Sequence, residues 1–233
     1  MISIGESEYF LVPKYGRMLE VFRSHALRLG IPDGDWSRFH EIIPSEKMPH
    51  DVLEGTAHTY GHDLVYALDQ NFRQAGIIEP VELGFRELYI ACVKQILGKN
   101  AKKYAYQRMP SLRVHYPGYT SYGVFHTDAG YNHPLGEVNF WIPITYSRDS
   151  ASMYIESEIG KGDYQPVNCD PGYGFMFDGS LKHGNVINEP GLTGVSFDFR
   201  IISLDKIMEF IKSSLTAKKS FNIQDPESYY ARF

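Results

Sequence analysis

What most constrains this chain is a change in the period of its apolar residues near Lys102. Before that point they recur at three-and-four spacing, the mark of amphipathic helices; after it, short β-branched and aromatic runs alternate with turns. From Val12 to about Gly30, Met18, Leu19, Val21, Phe22, Ala26 and Leu29 share one helical face, and Gly30 with Pro32 supplies the stop. Further helices are predicted over roughly Val52 to Gln74 and Val81 to Leu97, the latter carrying Phe85, Leu88, Tyr89, Cys92 and Ile96 on one side. Beyond Lys102, turn signals stand at Pro117-Gly118, Asp128-Ala129-Gly130, Asp170-Pro171-Gly172, Asp178-Gly179 and Glu189-Pro190-Gly191.

Between these turns strands are predicted near Tyr104–Arg108, Leu112–Tyr116, Tyr122–Thr127, Glu137–Thr145, Ser152–Ser157, Gln165–Asn168, Gly172–Phe177, Lys182–Val186 and Gly194–Ile202. Many short strands without helical crossovers favour a sandwich or jelly roll. A closing helix from Ser203 to about Leu215 has Ser203 as N-cap and Leu204, Ile207, Met208, Phe210 and Ile211 on its buried side, and the last residues read as a tail or edge piece. The expected organisation is one domain over 1–233, with helical support over 1–102, a β-core over 103–202 and a C-terminal helix and tail over 203–233. A chain of 233 residues, 43% hydrophobic and 14% aromatic, is long enough to close one such core.

Charge and composition remove several functions. A formal charge of −5 and scattered basic residues give no field for a nucleic-acid partner. No apolar run is long enough for a membrane span, and the acidic start of the chain does not look like a secretory signal, so a cytoplasmic protein without a membrane partner is expected. Cys92 and Cys169 are far apart and have no zinc-knuckle spacing. His58 and His62 stand four apart on a predicted helix but lack the glutamate of zinc proteases, and read as helix-face histidines.

The chemistry concentrates at Phe125-His126-Thr127-Asp128, where an imidazole and a carboxylate two apart at a strand end project from one face. His183, at the start of another strand after the Asp178-Gly179 turn, is the natural third ligand. Two histidines and one carboxylate occupy one face of an octahedral iron(II) and leave open positions, whereas a structural zinc site would be closed by four ligands. Along Val195-Ser196-Phe197-Asp198-Phe199-Arg200, alternation puts Ser196, Asp198 and Arg200 on one face. Arg200 suits the distal carboxylate of a co-substrate, or else pairs internally with Asp198 or another acid.

Taken together, Tyr122-x-x-x-His126-x-Asp128, Asn139-x-Trp141-x-Pro143-x-Thr145, Phe177-Asp178-Gly179, His183-Gly184-Asn185 and the Val195–Arg200 strand resemble the iron(II)/2-oxoglutarate-dependent oxygenases of the phytanoyl-CoA-hydroxylase-like type. The stretch from Tyr154 to Tyr164 is similar to the streptomycin-biosynthesis StrG-type subgroup. The resemblance covers roughly Gln107 to Ile202. It implies a mainly β fold with a helical N-terminal part and a double-stranded β-helix (jelly-roll, cupin-like) core. It also implies metal ligation by His126, Asp128 and His183, and oxidation of a substrate as 2-oxoglutarate and dioxygen are consumed. The co-substrate residues it suggests are Arg200, Ser196 and Asn139; Arg113, His115, Tyr122 and Trp141 are the expected substrate contacts. Relatives often carry an arginine eleven positions after the second histidine, where this chain has Gly194, leaving Arg200, Arg113 or Lys182 to anchor the co-substrate. The expected partner is a small polar, hydroxyl-rich metabolite, and the expected assembly a homodimer. Asp128 argues against halogenation, since halide would need its coordination position. The competing reading is a non-redox cupin-like isomerase or sugar-binding module.

Overall fold

The computed structural model describes residues 7–42, 81–108, 110–120, 124–213 and 228–233. Among these the order is β1 (Glu8–Leu11), α1 (Tyr15–Arg28), α2 (Phe39–Ile42), α3 (Val81–Leu97), β2 (Tyr104–Gln107), β3 (Ser111–His115) and β4 (Val138–Pro143). There follow β5 (Tyr154–Ile155), β6 (Gln165–Pro166), β7 (Tyr173–Asp178), β8 (His183–Gly184), β9 (Gly194–Ser203), α4 (Leu204–Ser213) and β10 (Tyr230–Arg232).

Two antiparallel sheets result. The larger runs β1-β7-β4-β9-β2-β10, and the smaller runs β6-β5-β8. Strand β9 is long enough to take two neighbours end to end on one side: Ser111–His115 of β3 pairs with Gly194–Asp198, and Tyr104–Tyr106 of β2 with Ile201–Ser203. Its other side pairs with β4, from Val138↔Ile201 to Pro143↔Ser196.

Strand alternation explains how the layers form. Val195, Phe197, Phe199 and Ile201 of β9, with Phe140 and Ile142 of β4, belong to a core shared with Met18, Phe39, Tyr89 and Val93 of the N-terminal helical part. Phe197 lies 5.6 Å from Phe85 and Phe199 lies 5.3 Å from Tyr89, measured between ring centres. The opposite faces of β4 and β7 present Trp141, Phe175 and Phe177 to Met153, Ile155 and Val167 around the smaller sheet. With a layer on each side, the eight residues of β9 from Val195 to Ile202 are all buried.

This mainly β architecture with a helical N-terminal part is the expected fold class, and the two facing sheets are compatible with a cupin-like double-stranded β-helix. Details differ. β1 was not anticipated from the sequence, because its four residues give too short a pattern to read; it joins the larger sheet through Glu8↔Met176 to Leu11↔Tyr173. In α4, Ile207 and Ile211 are buried, but Met208 is 42% exposed rather than inward, as the helix docks with a narrow face on Ala105, Ile202 and Tyr230. The strand expected over Tyr122–Thr127 contributes only a bridge at His126 among the described residues. The helix expected from Val52 to Gln74, with His58 and His62, lies outside them. No described helix is long and apolar enough to cross a membrane.

Candidate metal centre

His126 and His183 are brought together by backbone pairing. The His126 N–H donates to the His183 carbonyl at 3.0 Å and the His183 N–H to the His126 carbonyl at 2.9 Å, so the two residues face each other directly across an antiparallel pair. Their side chains emerge on the same side, with ring centres 4.6 Å apart. Asp128 follows in a short 3-10 turn (Asp128–Tyr131), whose first N–H is held by the Gly179 carbonyl at 3.0 Å. One ligand atom from each of His126, Asp128 and His183 lies within 4.8 Å of the others.

Backbone carbonyls fix the orientation of both imidazoles. His126 Nδ1 donates to the Val124 carbonyl and His183 Nδ1 to the Leu181 carbonyl, each at 2.9 Å. A carbonyl can only accept, so the proton sits on Nδ1 and the lone pair on Nε2 of each ring. Burial, then the neighbouring His183, pushes the His126 pKa down to about 4, and burial likewise lowers His183, so both rings are neutral at neutral pH. Burial alone would raise the Asp128 carboxyl, but the Arg200 guanidinium beside it, with His183 and Asn139, holds it far below the usual carboxylate range. Two neutral imidazoles and one carboxylate suit a divalent transition metal.

Arg200 forks onto Asp128, with Nε 3.1 Å from Oδ2 and Nη2 2.8 Å from Oδ1. Asn139 Nδ2 donates to the same Oδ2 at 2.6 Å. By sequence Arg200 suits either a co-substrate carboxylate or an internal acid; in the structure it meets an acid, and that acid is Asp128. Its Nη1 also donates to the Tyr229 hydroxyl at 3.1 Å.

A cavity of about 60 Å³ between the sheets gathers most of the residues singled out from the sequence: His126, His183, Asn139, Trp141, Arg113, His115, Ser196 and Arg200 line it, with Gly194 beside them. Asp128 stands behind, against Arg200. Ser196 accepts from Trp141 Nε1 at 3.0 Å, which fixes the indole as one wall. Arg113 is paired with Asp198 through Nε at 2.6 Å, yet its side chain is 26% exposed where that of Arg200 is 8% exposed. His115 Nε2 faces the Tyr119 and Val186 carbonyls at 2.9 and 3.1 Å, and burial lowers its pKa. Tyr131 packs edge-on against the His126 ring at 4.8 Å. Tyr122 lies outside the described residues.

Other contributors stand in stretches quoted from the sequence, or beside them, without a role at the site. A Cβ at Gly179 would lie 2.7 Å from Asp128 Oδ2, so only glycine leaves room for the carboxylate; the Asp-Gly turn was read as a turn and its second use is visible only in three dimensions. Buried Glu156 accepts from the Lys182 N–H at 2.8 Å and the Gly162 N–H at 3.1 Å, which fixes the chain immediately before His183. Glu137, on the turn into β4, accepts from the Tyr230 hydroxyl.

Fold and site together define a two-sheet β protein with a candidate metal centre of two histidines and one carboxylate. No family model matches the sequence. Over 116 residues the chain is 33% identical to the streptomycin biosynthesis protein StrG of Streptomyces griseus, a match covering 49% of this chain and 55% of that protein. The chain thus spans about half the length of the relative it matches. Among solved structures, the non-heme monooxygenase ThoJ in its nickel complex superposes with a TM-score of 0.42 at 12% identity, covering 65% of this chain and 72% of that one. Apo ThoJ gives 0.43 at 12% identity, covering 84% and 74%.

Proposed function

We propose that this chain is a metal-dependent oxygenase of a biosynthetic pathway, using iron(II) and 2-oxoglutarate to hydroxylate or oxidatively cyclise a small polar metabolite. The observation that carries the reading is the trio His126, Asp128 and His183, one ligand atom of each within 4.8 Å of the others, with both imidazole Nδ1 atoms turned to backbone carbonyls. The 33% identity to a streptomycin biosynthesis protein supports the biosynthetic setting. His126, Asp128 and His183 would hold the iron, which with a 2-oxo acid and dioxygen would supply the oxidation of an unactivated C–H bond.

The chain's own residues orient and enclose. The Val124 and Leu181 carbonyls hold the two imidazoles at one rotation, and Asn139 fixes Oδ2 of the carboxylate. Trp141, Met153 and Phe177 form apolar lining that keeps water from the reacting atoms. Arg113 gives the cavity a guanidinium for the far carboxylate of the 2-oxo acid, while Ser196, Asn139 and His115 supply polar contacts to co-substrate or substrate. Closing on both molecules requires the cavity to open beyond its present volume.

Anaerobic addition of iron(II) and then 2-oxoglutarate to the protein tests the reading. A metal-to-ligand charge-transfer band in the visible is expected, and His126→Ala abolishes it. A folded protein that binds iron(II) without producing the band would instead favour a non-redox cupin-like isomerase or sugar-binding module. Succinate release from a panel of polar metabolites then identifies the substrate.

A further inference from the structure

We infer that Arg200 is a positioning residue for Asp128, braced by Tyr229 just ahead of β10, and that it does not contact the co-substrate. The inference rests on the metal reading above. Arg200 reaches both oxygens of the carboxylate, at 3.1 Å to Oδ2 and 2.8 Å to Oδ1, so the group cannot rotate about its Cβ–Cγ bond without losing the fork. Asn139 holds Oδ2 from another direction at 2.6 Å. Oδ1 is left turned toward His183 Nε2, 3.8 Å away. Were Arg200 to swing to a ligand in the cavity, it would abandon a carboxylate that is only 3% exposed, where an unpaired charge is costly.

The guanidinium is itself held. Besides Asp128, Nη1 donates to the Tyr229 hydroxyl at 3.1 Å and lies 3.5 Å from Asp198 Oδ2, and Nε lies 3.6 Å from Glu137 Oε2. Tyr229 and Tyr230 arrive from the far end of the chain, where Tyr230 donates to Glu137. Arg108 clamps this segment to β2: its N–H donates to the Tyr229 carbonyl at 2.8 Å, its Nε to Ser228 at 2.9 Å and its Nη2 to Tyr230 at 3.2 Å. Strand pairing then fixes the register, Tyr230↔Gln107 through Arg232↔Ala105. Residues 228–233 therefore complete the polar layer behind Asp128, so metal affinity depends on a segment far from His126, Asp128 and His183 in sequence.

The test is an anaerobic titration with cobalt(II), followed by its visible d–d band, on the full chain and on Arg200→Met, Arg200→Lys and Tyr229→Phe, with thermal melts of each apo form. Arg200→Met is expected to weaken cobalt(II) binding about 10- to 100-fold, the usual effect of losing a residue that orients a metal ligand. Arg200→Lys recovers part of the loss, and Tyr229→Phe weakens binding several-fold with a near-normal melt. In the metal-saturated Tyr229→Phe and Arg200→Lys proteins, 2-oxoglutarate affinity stays at the unsubstituted level. If folded Arg200→Met keeps full cobalt(II) affinity but no longer binds 2-oxoglutarate, Arg200 is the co-substrate anchor and the inference is overturned while the metal reading stands. If Arg200→Met does not fold, unchanged cobalt(II) affinity in Tyr229→Phe overturns it equally. Failure of the unsubstituted protein to bind cobalt(II) or iron(II) removes the metal reading itself.

Discussion

Around Asp128 the controlling quantities are single-atom clearances and charges. The 2.7 Å gap between a would-be Gly179 Cβ and Asp128 Oδ2 is shorter than any tolerated carbon–oxygen contact, so a methyl group must push the carboxylate off its present line. Gly179→Ala is expected to weaken metal binding roughly tenfold or more, in the range seen when a ligand's orientation is disturbed, with the fold retained; isothermal titration with cobalt(II) reads the change. Protonation gives a second expectation for the metal-free protein. The folded pKa of His126, about 4, lies below its ordinary 6.5, so the unfolded chain binds more protons in that window and stability must fall as pH drops from about 6.5 to 4. His183, shifted in the same direction by burial, adds to the slope. Asp128 acts lower: its stabilising contribution is complete above about pH 3.8 and is lost only as pH falls further. Denaturant unfolding at stepped pH measures the slope, and His126→Gln should flatten it above pH 4; an unchanged slope would count against histidines that are neutral in the folded chain.

At the level of elements, β9 carries two jobs on its two faces, and alternation made this readable. Ser196, Asp198 and Arg200 were placed on one side by their spacing and all line the cavity; Phe197 and Phe199 meet the helices on the other. Phe199 is fully buried, stacked on Phe140 at 4.9 Å. Phe199→Ala is expected to cost about 3–5 kcal/mol in an equilibrium unfolding measurement, the usual penalty for an emptied aromatic site. Less legible were elements defined by partners far away in sequence. β1 and β10 are short, and each exists because a longer strand offers an open edge. The turn from Glu156 to Lys161 showed a recognisable residue pattern but no physical task until Glu156 was seen holding the Lys182 N–H ahead of His183.

Across the whole molecule, the candidate centre spans the two sheets. His183 belongs to the smaller sheet and His126 bridges to it, whereas Asp128 is gripped by Asn139 of β4 and Arg200 of β9 in the larger one. An ion bound by all three ligands ties the layers together and must stabilise the folded chain. Metal at about one hundred times its Kd should add about 2.7 kcal/mol, seen as a melting temperature that rises with iron(II) or cobalt(II) and returns with chelator. A melting temperature indifferent to metal would argue that the ligands do not act jointly.

Local period and residue chemistry were enough for the helices near Val12–Gly30 and Val81–Leu97, for most of the strands and turns after Lys102, for two histidines and a carboxylate beside them, and for the polar face of β9. Those features follow from alternation and turn-forming residues within a few positions of one another. The choice of partners belonged to tertiary structure. Arg200 had several acids or a co-substrate open to it, and the packing of β4, β9 and the 3-10 turn selected Asp128, since a buried guanidinium pairs with the carboxylate the fold sets beside it. The same packing brought Tyr229 from the chain's end to brace that pair and required glycine at 179, because contacts between residues distant in sequence are written in no local pattern.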